Sequence, residues 1–164
     1  MNTTAFTIYD ASAGSGKTYT LTKEYLKILF LATNDDAYRK ILAITFTNKA
    51  VEEMKTRIVS SLYQFSLDNT SDKAMELLKD VASETKLSIA TLKDKSKAII
   101  KNIIHNYAAF DISTIDKFTH KVIRTFAQDL NLPPNFEVSL ETDSLLQEAI
   151  DLVISKAGDD VNLT

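Results

Sequence analysis

The chain has 164 residues, of which 45% are hydrophobic and 25% charged, and a formal net charge of −3 at pH 7. These values fit about one globular domain with its own core, and the weak negative charge gives no general sign of nucleic-acid binding, although a local basic strip can still provide one. The absence of cysteine excludes disulfides and cysteine-bound metals. Because no secretory signal or apolar run of membrane-spanning length is present, we expect a cytoplasmic protein with no membrane partner.

Apolar spacing predicts strands and helices that alternate along the chain. Two short buried strands are predicted at 6–9 and 41–46, and a third is possible at 111–114. Helices are predicted over six segments, at about 16–31, 48–65, 72–83, 89–107, 115–130 and 143–156, with a short extended piece at 136–140. Helical spacing predicts one apolar face on the second of them, formed by Val51, Met54, Ile58, Leu62 and Phe65, and an inward face on the fifth, formed by Phe118, Val122, Ile123 and Phe126. This alternation indicates an α/β protein with a parallel sheet and flanking helices, and the few strands indicate that the sheet is incomplete.

The segment 11–18 reads Ala-Ser-Ala-Gly-Ser-Gly-Lys-Thr and lies between the first predicted strand and the first predicted helix. A strand, a glycine-rich turn and a helix in this order form a phosphate-binding loop. Gly14 and Gly16 let backbone N–H groups approach an anion, and the helix that follows directs its positive dipole end at the same point. Lys17 would reach the β- and γ-phosphates of a nucleotide, and the Thr18 hydroxyl would bind Mg²⁺.

A second motif spans 41–58 and begins Ile-Leu-Ala-Ile-Thr-Phe-Thr-Asn-Lys-Ala. Its strand delivers 45–49 to the carboxyl edge of the sheet, which is where α/β sheets bind ligands. An aromatic ring beside hydroxyl, amide and ammonium groups suits single-stranded nucleic acid, because the ring stacks on a base while the polar groups hold phosphate. Taken alone, the motif also fits a structural interpretation, with Phe46 in the core and Asn48 as a helix cap.

With the loop upstream, this stretch closely resembles motif Ia of superfamily 1 helicases of the UvrD/Rep/RecB type, T-F-T-N-K-A-A-x-E-M-x-x-R-[IV], and departs from it only at Val51. The general phosphate-loop pattern, G-x-x-x-x-G-K-[ST], has glycine where this chain has Ala11. The loop of that family commonly reads A-x-A-G-[ST]-G-K-T, so alanine at this position is a feature of the family that the chain resembles. Residues 113–118, Ser-Thr-Ile-Asp-Lys-Phe, resemble the next motif, T-[IFV]-H-[SG]-[FL], with Asp116 in place of the usual histidine and Lys117 in place of the usual small residue. Acidic variants of this motif are typical of the AddA/RecB-like branch, as is Tyr19. Residues 131–138 resemble the segment that leads into accessory subdomain 1B.

The resemblance implies the N-terminal part of a P-loop NTPase (RecA-like) motor in an ATP-dependent 3′→5′ DNA helicase, a DNA-dependent ATPase of repair or recombination. Motor domain 1A would cover 1–130, with a helical insertion at about 67–109, and subdomain 1B would begin within 131–164. ATP and Mg²⁺ would be held by Ala13, Gly14, Ser15, Gly16, Lys17, Thr18 and Tyr19. Lys17 and Thr18 would be the catalytic members of that set, and Thr18 the metal ligand.

The same resemblance implies a track for single-stranded DNA, or for a junction between duplex and single strand. The track would be formed by Thr45, Phe46, Thr47, Asn48 and Lys49, and a weaker second contact by Thr114, Asp116 and Lys117. Since a carboxylate repels phosphate, Asp116 would accept from a base amino group or pair with Lys117. Further partners would be the rest of the helicase chain and a partner protein in a helicase–nuclease complex.

The family's acidic D-E-x-x motif, its arginine-bearing motifs and its glutamine motif are absent from these 164 residues. We therefore expect a piece of a larger protein that does not turn over ATP by itself. Asp111 is the nearest match to the second Mg²⁺ acid, although the residues before it are helix-periodic. Two alternatives stay open, a small P-loop kinase and a nucleotide-binding module without catalysis.

The predicted helix at 89–107 is rich in lysine. Its members Lys93, Lys95, Lys97 and Lys101 are interpreted as a solvated helix face in preference to a DNA-binding patch.

Overall fold

A computed structural model describes residues 6–9, 16–133, 135–137 and 142–156. Its α-helices are α1 (Lys17–Leu31), α2 (Asn48–Ser66), α3 (Asp72–Thr85), α4 (Ile89–His105), α5 (Ile115–Thr125) and α6 (Thr142–Lys156). Two short strands, β1 (Ala43–Thr45) and β2 (Ile112–Thr114), pair in parallel, and single 3₁₀ turns cover Ala37–Lys40 and Tyr107–Ala109. The described residues are thus a helix-rich α/β protein with a small parallel sheet, as predicted for the fold class.

The chain divides into two compact units, Met1–Phe118 and Thr119–Thr164. The first unit contains both strands and the helices α1 to α4. The assignment of 1–130 to a motor domain and of 131–164 to an accessory subdomain stays a prediction.

Two helix starts, those of α2 and α4, are fixed by side chains that satisfy free N–H groups of the first turn. Thr47 caps α2, because its hydroxyl accepts a hydrogen bond of 3.1 Å from the Ala50 N–H. Ser88 caps α4 in the same way through the Thr91 N–H, also at 3.1 Å. The residue that caps α2 is therefore Thr47, whereas the structural interpretation of the motif had assigned that role to Asn48.

The two strands lie in register, with Ala43 opposite Ile112 and Thr45 opposite Thr114. Parallel neighbours need a crossover between them, and here α2, α3 and α4 make it. The predicted buried strand at 41–46 is present but shorter, and its burial was predicted wrongly, because Leu42 and Ile44 are 42% and 46% exposed.

The predicted buried strand at 6–9 is wrong. These residues have no regular secondary structure, and Phe6 is 79% exposed. An apolar run becomes a strand only when a neighbouring strand takes up its backbone hydrogen bonds, and within the described residues β1 and β2 pair with each other.

One hydrophobic core joins all the helices of the first unit up to α4. Its buried side chains from α1 and α2 include Leu26, Phe30, Leu62 and Phe65, and the rings of Phe30 and Phe65 lie 6.4 Å apart. Helices α3 and α4 add Leu77, Leu78, Val81, Leu92, Ile99 and Ile103. Each such side chain contributes about 1.5–3 kcal/mol through burial. The segment predicted as a helical insertion therefore shares one core with α1.

Two lysines of α4 do not lie on a solvated face, which corrects part of the interpretation of that helix. The Lys93 ammonium donates to two backbone carbonyls just beyond α2, at 2.7 and 3.1 Å. The Lys95 ammonium donates to two carbonyls at the end of α1, both at 2.8 Å. The last carbonyls of a helix lack partners within it and carry partial negative charge, so these ammonium groups cap two helices. Lys97 and Lys101 are exposed, as predicted.

In the second unit, the helix predicted to reach residue 130 ends at Thr125 and is followed by turns up to Asn131. Asn131 has a positive φ of 54°, a conformation that ends helices. The apolar face predicted to point inward is partly exposed, with Val122 and Phe126 keeping 37% and 52% of their surface open to solvent. The last predicted helix is confirmed as α6, and the predicted extended piece at 136–140 lies largely outside the described residues.

None of the helices in the described ranges is long and apolar enough to cross a membrane.

Candidate functional site

The start of α1 is the part of the predicted phosphate site that the structure describes. Gly16 precedes the helix with φ 80° and ψ 16°, and its carbonyl accepts the first helical hydrogen bond, from the Thr20 N–H at 2.9 Å. A side chain at this φ would be strained, although a Cβ there would meet nothing within 4 Å. Among the described residues no side chain caps this first turn, and the turn holds no acidic residue. The first N–H groups of a helix have no partner within it and lie at the positive end of its dipole. The loop residues Ala13, Gly14 and Ser15 lie outside the described residues.

Lys17 and Thr18 are the first two residues of α1. The Thr18 carbonyl accepts a 2.7 Å hydrogen bond from the Thr22 hydroxyl, which ties the first turn to the second. An ammonium and a hydroxyl at these positions fit the donor set of a Mg²⁺–triphosphate site. No three histidine or acidic side chains gather into a metal site in the part of the chain that the structure describes.

Asp111 does not fit the role of the second magnesium acid. It directly precedes β2, and its carbonyl accepts a 3.2 Å hydrogen bond from the Ala43 N–H. That position is the amino end of the strand, whereas α/β sheets bind ligands at the carboxyl ends.

Tyr19 follows Thr18 on the first turn of α1, and its phenol donates a 2.6 Å hydrogen bond to a carboxylate oxygen of Asp80 on α3. Partial burial and this bond raise the pKa of Tyr19 to about 12. Burial, with the nearby Asp111 carboxylate, raises the pKa of Tyr25 as well. The structure thus directs the Tyr19 hydroxyl at the neighbouring helix, and its contact with nucleotide stays a prediction.

The free energy of unfolding is expected to fall as pH rises from about 10 to about 12. In that window the phenol of Tyr19 ionises in the unfolded chain, whose ordinary value is 10.0, but keeps its proton in the folded protein until about 12. Urea unfolding at pH 9 and pH 11.5 measures the loss. Tyr19→Phe should make the loss smaller, and Asp80→Asn should do so only in part, because burial is the largest cause of the shift. An equal loss in wild type and in Tyr19→Phe would contradict the assignment.

The carboxyl edge of the sheet brings the second and third motifs together. Thr45 and Thr114 end the two parallel strands as register partners, so the residues after them emerge side by side. Phe46 is 85% exposed there, which excludes its placement in the core of the described protein. Asn48 and Lys49 begin α2 on the same edge and are exposed as well. This edge thus carries an exposed aromatic residue followed in the chain by exposed polar and basic residues.

A direct contact joins the two motifs. The Lys117 ammonium donates a 2.8 Å hydrogen bond to the Asn48 side-chain oxygen, so Lys117 is paired with Asn48 and not with Asp116. Thr114 is 4% exposed, and its hydroxyl accepts from the Lys117 N–H at 3.3 Å. Thr114 therefore supports the start of α5, while Asp116 and Lys117 are exposed beside it.

Comparison with known proteins identifies relatives along most of the chain. The family described as "UvrD/REP helicase N-terminal domain" matches residues 3–163. An ATP-dependent helicase/nuclease subunit from Lactobacillus acidophilus is 32% identical over 131 residues, which cover 80% of this chain and 9% of the relative. The proteins of the same name from Staphylococcus carnosus and Staphylococcus aureus strain JH9 are 28% and 30% identical, over 95% and 91% of this chain.

The chain spans only 9% to 11% of the length of these three relatives. No solved structure gives a significant match to it. The resemblance inferred from the three motifs, including that to the AddA/RecB-like branch, is confirmed by these relatives. Because the family match runs from residue 3 to residue 163, the chain belongs to the UvrD/REP helicase N-terminal domain family.

Proposed function

We propose that this chain is the N-terminal, ATP-binding part of a 3′→5′ DNA helicase, a DNA-dependent ATPase with a RecA-like motor. The observation that carries the proposal is the carboxyl edge of the sheet, where Phe46 is 85% exposed two residues before Asn48, whose side-chain oxygen accepts a hydrogen bond from Lys117. A ring open to solvent at a ligand-binding edge, next to cations, is the arrangement that stacks a base and holds its phosphate. The family match and the relatives' names support the same conclusion.

At the nucleotide end, the first turn of α1 would bind the phosphates of ATP. Its N–H groups and dipole attract the anion, Lys17 offsets charge on the β- and γ-phosphates, and the Thr18 hydroxyl would hold Mg²⁺. Magnesium, when bound, would neutralise charge that develops as the γ-phosphoryl group transfers to water. The chain's own part is to bind and orient the triphosphate, and Ala13 to Ser15 would complete the loop.

At the DNA end, Thr45 to Lys49 would line a single-stranded track, with Asp116 and Lys117 beside it. The proposed substrate is single-stranded DNA or a junction with duplex, in repair or recombination. Because the relatives are named helicase/nuclease subunits, we extend to this protein a role in such a complex, in the cytoplasm. Since these 164 residues contain no D-E-x-x motif and no arginine-bearing motif of the family, they alone would not turn over ATP.

Hydrolysis and strand separation by the full-length protein test the proposal. We expect ATP hydrolysis that single-stranded DNA stimulates, and unwinding of a duplex with a 3′ tail but not of the same duplex with a 5′ tail. Nucleotide binding without DNA-stimulated hydrolysis would favour a non-catalytic binding module. Transfer of the phosphoryl group to a nucleoside or metabolite instead of water would favour the small kinase.

A further inference from the structure

A ladder of polar contacts ties the phosphate-loop helix to α3. Tyr19, Lys23 and Lys27 recur at every fourth position of α1 and so share one stripe. Asp80 and Glu84 share a stripe of α3 by the same spacing. The Tyr19 hydroxyl meets Asp80 at 2.6 Å, and the ammonium groups of Lys23 and Lys27 meet Glu84 at 2.5 and 2.6 Å.

These contacts advance together along both helices. A step of four residues from Tyr19 to Lys23 matches a step of four from Asp80 to Glu84, so the two helices run in the same direction with a fixed register. The ion pairs are partly exposed, with Lys23 and Glu84 keeping 19% and 36% of their side-chain surface. Exposed pairs contribute little stability, and their effect here is to define which side chains of the two helices meet.

The first turn of α1 lies beyond the part of the helix that the core secures. Among the described residues of α1, Thr22 is the first that is buried, at 3% exposure, while Lys17 is exposed and Thr18 half-buried. Helix α3, in contrast, is fixed in the core by Leu77, Leu78 and Val81. The Tyr19–Asp80 hydrogen bond thus connects the first turn of α1, which has no buried residue, to α3, which is anchored in the core by buried side chains.

We propose that Asp80 is a positioning residue of the nucleotide site, which acts through the Tyr19 hydroxyl to hold the first turn of α1. Lys17 and Thr18 directly precede Tyr19, and a helix turn moves as a unit because its residues are joined by backbone hydrogen bonds. Fixing the Tyr19 side chain therefore fixes the direction in which the N–H groups, the ammonium and the hydroxyl meet a triphosphate. The segment predicted as a helical insertion would thereby preorganise the ATP site. This inference rests on the proposed ATP binding.

Calorimetric titration of the full-length protein with Mg²⁺ and a non-hydrolysable ATP analogue tests the inference. Tyr19→Phe and Asp80→Ala should each weaken nucleotide binding roughly threefold to tenfold, the range for one side-chain hydrogen bond. The double variant should lose no more than either single variant, because both changes remove the same contact. Asp80→Asn keeps an acceptor oxygen and should retain most of the affinity. Glu76→Ala, which removes an exposed acid one turn earlier on α3, should bind nucleotide as the wild type does.

The outcomes separate positioning from mere support of the fold. Lower thermal stability of Tyr19→Phe and Asp80→Ala, with unchanged nucleotide affinity of the folded protein, would overturn the inference. Additive losses in the double variant would also overturn it, since independent contacts would then be responsible. If the wild type binds no nucleotide and Lys17→Ala changes nothing, the proposed function itself fails. That result differs from the failure of this inference alone, in which the wild type binds nucleotide and the Tyr19 and Asp80 variants bind it with the same affinity.

Discussion

Replacement of Lys17 by alanine in the full-length protein is expected to lower DNA-stimulated ATP hydrolysis by roughly 10²–10³-fold, the usual cost of one preorganised charge contact to a transition state. Lys17 opens α1 directly after Gly16, where its ammonium would offset charge on the transferring phosphoryl group. That charge is larger in the transition state than in bound ATP, so the turnover number should fall more than nucleotide affinity. Steady-state hydrolysis at saturating single-stranded DNA gives both quantities.

Lys40→Ala is the matched control, because Lys40 is an exposed lysine on the 3₁₀ turn away from the start of α1. It removes one positive charge and should leave hydrolysis near the wild-type rate. DNA-stimulated hydrolysis that persists in Lys17→Ala at more than about a tenth of the wild-type rate would place the phosphate site elsewhere in the protein.

Helices were the part of the fold that sequence periodicity predicted well. The helices predicted at 48–65, 72–83 and 143–156 are observed at Asn48–Ser66, Asp72–Thr85 and Thr142–Lys156. A helix forms its hydrogen bonds within its own segment, so local spacing and capping residues carry enough information to place it. In α2, Ile58, Leu62 and Phe65 are buried as their spacing predicted.

Features that depend on distant residues were predicted poorly. The apolar run at 6–9 had the composition of a strand, but a strand needs a partner that its own sequence does not specify. Lys93 and Lys95 were expected to face solvent because periodicity shows which face a side chain occupies and not what lies opposite it. Both reach backbone carbonyls of other helices, 25 to 65 residues away in sequence.

The candidate site shows the same division. That the second and third motifs meet at one sheet edge was predictable, because parallel strands share their carboxyl edge, and the structure pairs Thr45 with Thr114. Two contacts could not be predicted, namely the one that joins the second motif to the third and the one that joins α1 to α3. Lys117 bonds to Asn48, 69 residues away, and Tyr19 bonds to Asp80, 61 residues away. The one signal available was the shared spacing of four residues on α1 and α3, which indicates a stripe on each helix but not that the stripes meet.

Phe46→Ala in the full-length protein is expected to weaken binding to single-stranded DNA by about 1–3 kcal/mol, the usual contribution of one base–aromatic stack. Because the ring is 85% exposed, its removal leaves no cavity, and thermal stability should change little. A buried ring such as Phe65, with no exposed surface, would instead cost about 3–5 kcal/mol of stability on truncation. Fluorescence anisotropy with a labelled oligonucleotide and a thermal melt of the same sample give both numbers.

Two further variants separate stacking from general effects of the surface. Tyr63→Ala removes another exposed aromatic ring, on α2 away from the sheet edge, and should leave DNA affinity unchanged. Lys49→Ala should weaken binding to all sequences and reduce the slope of log affinity against log salt by about one, because one phosphate contact is lost. Phe46→Ala should leave that slope unchanged, since a stack releases no counterion. A melting temperature that falls in Phe46→Ala with unchanged DNA affinity would remove Phe46 from the DNA track, and an altered salt slope in the same variant would mean that its loss disturbs the neighbouring cations.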